Sequence, residues 1–110
     1  MKLSFSGRRI EHSGGALEGT HPVIGAAEIE GLVIVIYDYM TFPSGSAARN
    51  LFAYKPTGEE VWRAQDIGMG ATDAYTSILS ENPLVVGNFA GSECTIEVQS
   101  GAVLHTAFTK

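Results

Sequence analysis

The apolar run LVIVIY, at residues 32–37, is the feature that most restricts how this chain can fold, and we predict a strand over residues 32–39. Side chains alternate between the two faces of a strand. One face therefore carries Leu32, Ile34 and Ile36, and the other carries Val33, Val35 and Tyr37. A strand that is apolar on both faces is normally central and covered on both sides. The rest of the chain has to supply that cover.

The other residues predict an all-β fold. Thirteen glycines accompany many valine, isoleucine, threonine and aromatic residues, which is typical of short strands separated by turns. Besides this strand and a hairpin at residues 50–65, we predict strands at residues 2–6, 8–12, 23–29, 74–79, 84–89, 93–98 and 103–108. The Gly-rich stretch SGGALEG (residues 13–19) is predicted to be a connection, and residues 74–80 have a short helix as their alternative. The chain is predicted to form one domain, residues 1–110.

The stretch NLFAYKPTGEEVWRAQ, residues 50–65, predicts a β-hairpin that contains the only tryptophan. Its three-residue loop ends with Gly58, which suits the left-handed position of a bulged turn. This loop predicts a register with Lys55 opposite Glu59, Ala53 opposite Val61 and Phe52 opposite Trp62. The aromatic pair would contribute about 0.2–1 kcal/mol over an alanine pair.

A second hairpin is predicted 43 positions later, because Gln99-Ser100-Gly101 repeats the form of Pro56-Thr57-Gly58. The same loop length predicts Ile96 opposite Leu104 and Val98 opposite Ala102. The chain would then contain two similar units, each with a first strand, an apolar strand and a hairpin. Spacing of this order suits four-stranded propeller blades.

These hairpins carry a resemblance to a known family. NLFAYKPTGEEVWRA resembles a blade of the tryptophan-docking repeats of quinoprotein dehydrogenases and their non-catalytic relatives, and VQSGAVLHTAF is a weaker copy with His105 near the place of the tryptophan. The resemblance implies blade-like sheets with the tryptophan docked between them, and it brings no cofactor residue. Two units cannot close a ring that typically needs four blades, so we predict antiparallel blade-like sheets without a closed propeller. The carboxy-terminal half is also similar to short bacterial proteins of unassigned role.

Charge and composition exclude several classes of function. Seven basic and twelve acidic residues give a net charge of −5, which argues against a nucleic-acid partner. The longest apolar run is too short to cross a bilayer, and Lys2 is not followed by the apolar stretch of a secretory signal. A single cysteine excludes an intramolecular disulfide. We expect a cytoplasmic, bacterial-type protein with no membrane contact.

Cys94 is the obvious candidate nucleophile. Alternation places it with Ile96 on a face that we predict to be buried, opposite Thr106, while His105 lies on the other side. A catalytic cysteine needs a base within hydrogen-bond reach. Free cysteine is among the most often buried residue types, so a core role is favoured and no catalytic residue is assigned.

Metal binding has little support in the sequence. The candidate ligands His12, His21, His105 and Cys94 are irregularly spaced, without a C-x-x-C or H-x-x-x-H pair. We expect no metal and no cofactor.

The strongest candidate binding residues lie at the end of the apolar strand. Tyrosine and arginine are enriched at protein interfaces, and a long loop at residues 40–49 follows Tyr39. We predict a partner-binding site made by Tyr37, Asp38, Tyr39, Phe42 and Arg49. The alternative is that Tyr37 and Phe42 cap the core and the loop is merely solvated.

These observations favour a non-catalytic protein–protein interaction module, such as an inhibitor or immunity-type protein, with a basic partner that suits the acidic chain. The alternative is a small-ligand or carbohydrate binder with a site between blade-like sheets. A third hypothesis is an enzyme that uses Cys94 and His105. We also expect a homo-oligomer, most simply a two-fold dimer, because two blade-like units leave sheet faces and strand edges uncovered.

Overall fold

The computed structural model describes residues 3–108, in which eleven strands form three antiparallel sheets, none of them closed into a barrel. The first sheet contains β1 (Ser4–Ser6), β2 (Arg9–His12) and β3 (Gly15–Glu18). The second contains β4 (Val23–Ile29), β5 (Leu32–Tyr37), β6 (Leu51–Tyr54) and β7 (Glu60–Arg63). The third contains β8 (Tyr75–Glu81), β9 (Leu84–Asn88), β10 (Ser92–Ile96) and β11 (Val103–Phe108).

The predicted all-β class with antiparallel sheets is confirmed. The two larger sheets are four-stranded meanders, in which each strand pairs with the next along the chain. Short 3₁₀ helices at Tyr39–Thr41 and Gly70–Thr72 interrupt the connections on either side of the β6–β7 hairpin. The central strand, which we predicted to run to residue 39, therefore ends at Tyr37. Residues 75–81 form a strand instead of the alternative helix. Lys2, where we predicted the first strand to begin, lies outside the described residues.

The second sheet is the middle layer of the protein, because β5 is buried on both faces as the alternation predicts. Leu32, Ile34 and Ile36 belong to a core cluster shared with the third sheet. Val33, Val35 and Tyr37 belong to a second cluster, which includes Ile10 of the first sheet with Leu17 packed against it.

The amino-terminal residues supply cover that we did not predict. SGGALEG was predicted to be a connection, but its residues Gly15–Glu18 form strand β3 and pair with β2. The two strands present Ile10 and Leu17 to the second sheet. The first sheet thus covers a face that we expected a second copy of the chain to cover. Homo-oligomerisation stays a prediction, but an uncovered face of the second sheet no longer supports it.

Trp62 joins the second sheet to the third. Its side chain is buried, and its Nε1–H donates a hydrogen bond to the Val98 carbonyl at 2.7 Å. The indole lies directly over Gly101, where an added Cβ would be 2.5 Å from the ring. Gly101 also has a φ of +78°, which disfavours other residues. The β10–β11 loop is therefore shaped to receive the tryptophan.

Each predicted hairpin register is found over part of its hairpin and is wrong by one residue over the rest. In the first hairpin, Trp62 is opposite Ala53 instead of Phe52, because Val61 is an extra, bulged residue. The Lys55–Glu59 pairing next to the turn is found, with a backbone hydrogen bond of 2.8 Å.

The second hairpin has a longer turn than we predicted. Ala102 is hydrogen-bonded to Glu97 instead of lying opposite Val98. Leu104 is bulged, so that Val103 is opposite Ile96. Beyond this bulge the predicted register is found, with Cys94 opposite Thr106.

All four edge strands of the two larger sheets contain a bulge. The register shifts leave one extra residue in β4, β7 and β11 and two in β8. Four of these residues are exposed large aliphatic side chains: Ile24, Val61, Leu79 and Leu104. Bulges twist an edge and interrupt its ladder, which protects against edge-to-edge pairing. The open edges are therefore poor templates for aggregation.

Candidate functional site

The loop after β5 and the third sheet form a cavity of about 240 Å³, which we call the loop-end cleft. The loop contributes Tyr39, Met40, Phe42 and Pro43, and the segment around the start of β8 contributes Ala71, Thr72 and Ala74. Phe89, from the β9–β10 turn, also lines the cleft, and its ring centroid lies 5.6 Å from that of Tyr39. The remaining lining residues belong to the loop and are Ser44, Ser46 and Ala48. The cleft is therefore an apolar concavity between the ends of two sheets.

Asp38 fixes the start of the loop. Its carboxylate accepts a hydrogen bond from the Met40 amide at 2.9 Å and so caps the 3₁₀ helix. Its own amide donates to the Pro22 carbonyl at 2.8 Å. The backbone amide of Met40 is thereby held, while its side chain remains exposed.

The five predicted site residues have different positions. Tyr39 and Phe42 line the loop-end cleft, and Phe42 also stacks on His21 with ring centroids 4.2 Å apart. Asp38 is the cap of the 3₁₀ helix, as described above. Tyr37 is fully buried and is hydrogen-bonded to Tyr54 at 2.7 Å.

Arg49 binds the backbone of the neighbouring strand. Its Nε donates to the Ala64 carbonyl at 3.1 Å, and Arg63 returns a hydrogen bond of 2.8 Å to the Arg49 carbonyl. These contacts hold Arg49 at a φ of +48°, a conformation that is uncommon for residues other than glycine. The guanidinium therefore anchors the end of the loop to β7.

Two buried polar residues that we did not predict hold the cleft in place. Asn50 lies between the second and third sheets and makes three hydrogen bonds to the backbone of Tyr37 and Tyr75. Asp73 accepts hydrogen bonds from the amides of Ile67 and Met69 and from the Asn88 side chain. Because Ala48 donates to the Asp73 carbonyl at 3.0 Å, the loop is tied to the same network.

The third hypothesis, an enzyme that uses Cys94 and His105, is not supported by the positions of these residues. Cys94 is opposite Thr106 as predicted, and its side chain is fully buried. His105 is exposed and opposite Thr95, so it lies on the other face of the third sheet. Burial raises the pKa of the Cys94 thiol, which disfavours the reactive thiolate.

We expect a thiol reagent to label Cys94 roughly 100-fold more slowly in the folded protein than in denaturant. Labelling requires a local opening, and an opening free energy of about 3 kcal/mol gives this factor. The measurement is the labelling rate with and without denaturant at one pH. Equal rates would contradict a buried cysteine and revive a reactive-thiol role.

The described part of the chain runs from residue 3 to residue 108. No helix in this part is long and apolar enough to cross a membrane. Nor does it bring three or more histidine, cysteine or acidic side chains together in a way that could hold a metal ion.

The family model described as a domain of unknown function (DUF7957) matches residues 1–108, so the chain belongs to this family. No propeller-repeat family is found. Neither a curated protein nor a solved structure matches the chain significantly.

Proposed function

We propose that this DUF7957 domain is a non-catalytic binding protein whose loop-end cleft receives an apolar side chain of a partner protein. The observation that carries the proposal is the exposure of two large apolar side chains at the cleft, since Met40 is 76% and Phe89 59% exposed. Clustered apolar side chains on a protein surface commonly mark interaction sites. An inhibitor or immunity-type protein would use such a surface.

The size of the cleft favours a single side chain over a drug-sized ligand. Pockets for drug-sized ligands measure about 300–1,000 Å³, whereas this cleft measures about 240 Å³. One large aliphatic or aromatic side chain, held in place by a folded partner, suits a concavity of this size.

Charge favours a basic partner. Residues 64–108, which include the whole third sheet, contain no lysine or arginine. Their acidic residues are Asp66, Asp73, Glu81, Glu93 and Glu97. Apart from the buried Asp73, these carboxylates give one side of the protein a negative field, which attracts basic surfaces and speeds their association.

The resemblance to tryptophan-docking blades reflects, in our proposal, a shared way of packing two sheets. The support is the contact of Trp62 with Gly101 and Val98 across the sheet interface. This contact concerns the fold, and the proposed function does not depend on the resemblance.

The proposal can be tested with a phage-displayed peptide library selected on the immobilised protein. We expect peptides with an aromatic or aliphatic anchor flanked by lysine or arginine. Phe89→Asp should weaken their binding by roughly 10-fold or more, the effect of losing an interface hot spot. High salt should also weaken it, because the contribution of exposed charges is screened.

Phe5→Asp is the matched control, because Phe5 is a partly exposed phenylalanine of the first sheet that does not line the cleft. Peptides that bind both variants equally would refute the cleft as the site.

Light scattering at micromolar concentration tests the proposed dimer separately. A mass near 11.7 kDa would exclude a second copy as the occupant, and a doubled mass that Phe89→Asp returns to 11.7 kDa would make the second copy the partner.

A further inference from the structure

A second cavity, of about 190 Å³, lies between the first and second sheets, away from the loop-end cleft. Ile10 and Leu17, which pack toward the second sheet, give it an apolar side. Tyr37 and Tyr54 bring their side chains to it from the second sheet. The cavity therefore combines apolar surface with two phenol hydroxyl groups.

The two tyrosine hydroxyl groups carry two protons, and one of these protons has no hydrogen-bond acceptor. Their oxygens are 2.7 Å apart, and the Thr20 amide donates to the Tyr37 oxygen at 3.3 Å. Each hydroxyl carries one proton, but a single hydrogen bond joins the two oxygens. Within residues 3–108, neither hydroxyl makes another hydrogen bond. In either direction of the Tyr37–Tyr54 bond, one O–H is left available as a donor.

That donor is stable and held in position. Burial, and then the hydrogen bond with Tyr37, raises the pKa of Tyr54, so the hydroxyl stays protonated at neutral pH. Phe52 stacks on Tyr54 and contacts Tyr37 edge-on, with ring centroids 6.1 and 5.3 Å apart. An added Cβ on Gly19 would lie 2.7 Å from the Tyr37 ring, so the backbone also packs closely against it.

Glu18 places a negative charge beside the cavity without pointing into it. It is a lining residue, but it follows the inward-facing Leu17 on β3 and is opposite Arg9, so its exposed carboxylate lies on the outer face of the first sheet, with a 3.9 Å ion pair to Arg8. A nearby carboxylate repels a negative group. The cavity thus offers a hydrogen-bond donor in surroundings that disfavour anions.

We propose that this cavity binds a small neutral hydroxylated molecule, such as a single sugar ring or a short polyol, which accepts the spare tyrosine proton and packs its carbon atoms against Ile10 and Leu17. The volume is below the range of about 300–1,000 Å³ for drug-sized ligands. The site is independent of the loop-end cleft and does not rest on its function.

The test is an NMR titration of the ¹⁵N-labelled protein with D-glucose and, separately, with glycerol. We expect saturable shifts of the Gly19, Thr57 and Gly58 amides with at least one probe. Tyr54→Phe should weaken binding about 2- to 10-fold, the effect of one lost hydrogen bond.

Tyr39→Phe is the matched control, since it removes a phenol hydroxyl outside this cavity and should leave binding unchanged. Sodium acetate is the anionic probe and should not shift these amides. Non-saturable shifts with both neutral probes, unchanged affinity in Tyr54→Phe, or binding of acetate as tight as that of the neutral probes would each overturn the proposal.

Discussion

Replacing Trp62 with alanine is expected to lower the free energy of unfolding by about 3–5 kcal/mol, the range found when a large buried aromatic side chain is removed. The indole is only 7% exposed. Its loss would leave a cavity over Gly101 and remove the donor to the Val98 carbonyl. The cavity would lie at the contact between two sheets, where local rearrangement of the structure cannot easily fill it.

Urea denaturation followed by circular dichroism measures this loss, since the substitution removes the only tryptophan. Val61→Ala is the control, because Val61 is the exposed bulged neighbour on the same strand, and it should cost less than about 1 kcal/mol. The fluorescence of native Trp62 should be blue-shifted relative to the denatured protein. An unshifted spectrum together with a stability loss near zero would make Trp62 a surface residue instead.

The strands and the central position of β5 could be predicted because alternation acts locally. A run such as LVIVIY has apolar side chains on both faces whatever its partners are, so its burial follows from the sequence. The registers could not be predicted in the same way. A bulge at Val61 or Leu104 depends on where an edge strand has to turn, and chemically sensible cross-strand pairs do not reveal it.

The third strand of the first sheet was missed for a related reason. Strand β3 is only four residues long, begins with a glycine and is mostly exposed, so its sequence resembles a loop. Its pairing with β2 and the contacts of Leu17 with the middle sheet stabilise it. Such tertiary stabilisation overrides weak local propensity.

The sequence indicated only the loop that forms half of the loop-end cleft. Tyr39 and Phe42 lie next to each other in the loop, but Phe89 reaches the cleft from a different sheet. Its position as the last residue of a predicted apolar strand gave no sign of this contact. Buried polar residues such as Asn50 and Asp73 also give no periodic signal, because their role depends on backbone groups distant in sequence.

The second large effect is expected at Asn50. Its side-chain amide donates to the carbonyls of Tyr37 at 2.7 Å and Tyr75 at 2.8 Å, and its oxygen accepts from the Tyr75 amide at 2.9 Å. Asn50 is fully buried. Asn50→Leu should therefore leave three backbone groups without partners away from water, at about 1–3 kcal/mol for each. We expect a total loss of about 3–5 kcal/mol, because some of these groups will relax toward other partners or water.

Gln65→Ala is the matched control for this substitution. Gln65 also carries an amide, but it is exposed, and its contact with Tyr75 uses the backbone carbonyl. Its replacement should change stability by no more than about 0.5 kcal/mol. The Asn50 substitution should also weaken peptide binding at the loop-end cleft, because Asn50 joins the end of β5 to the start of β8, and the cleft lies between these elements. If Asn50→Leu were as stable as the wild type, the side chain would not hold the two sheets together, and the cleft would need another support.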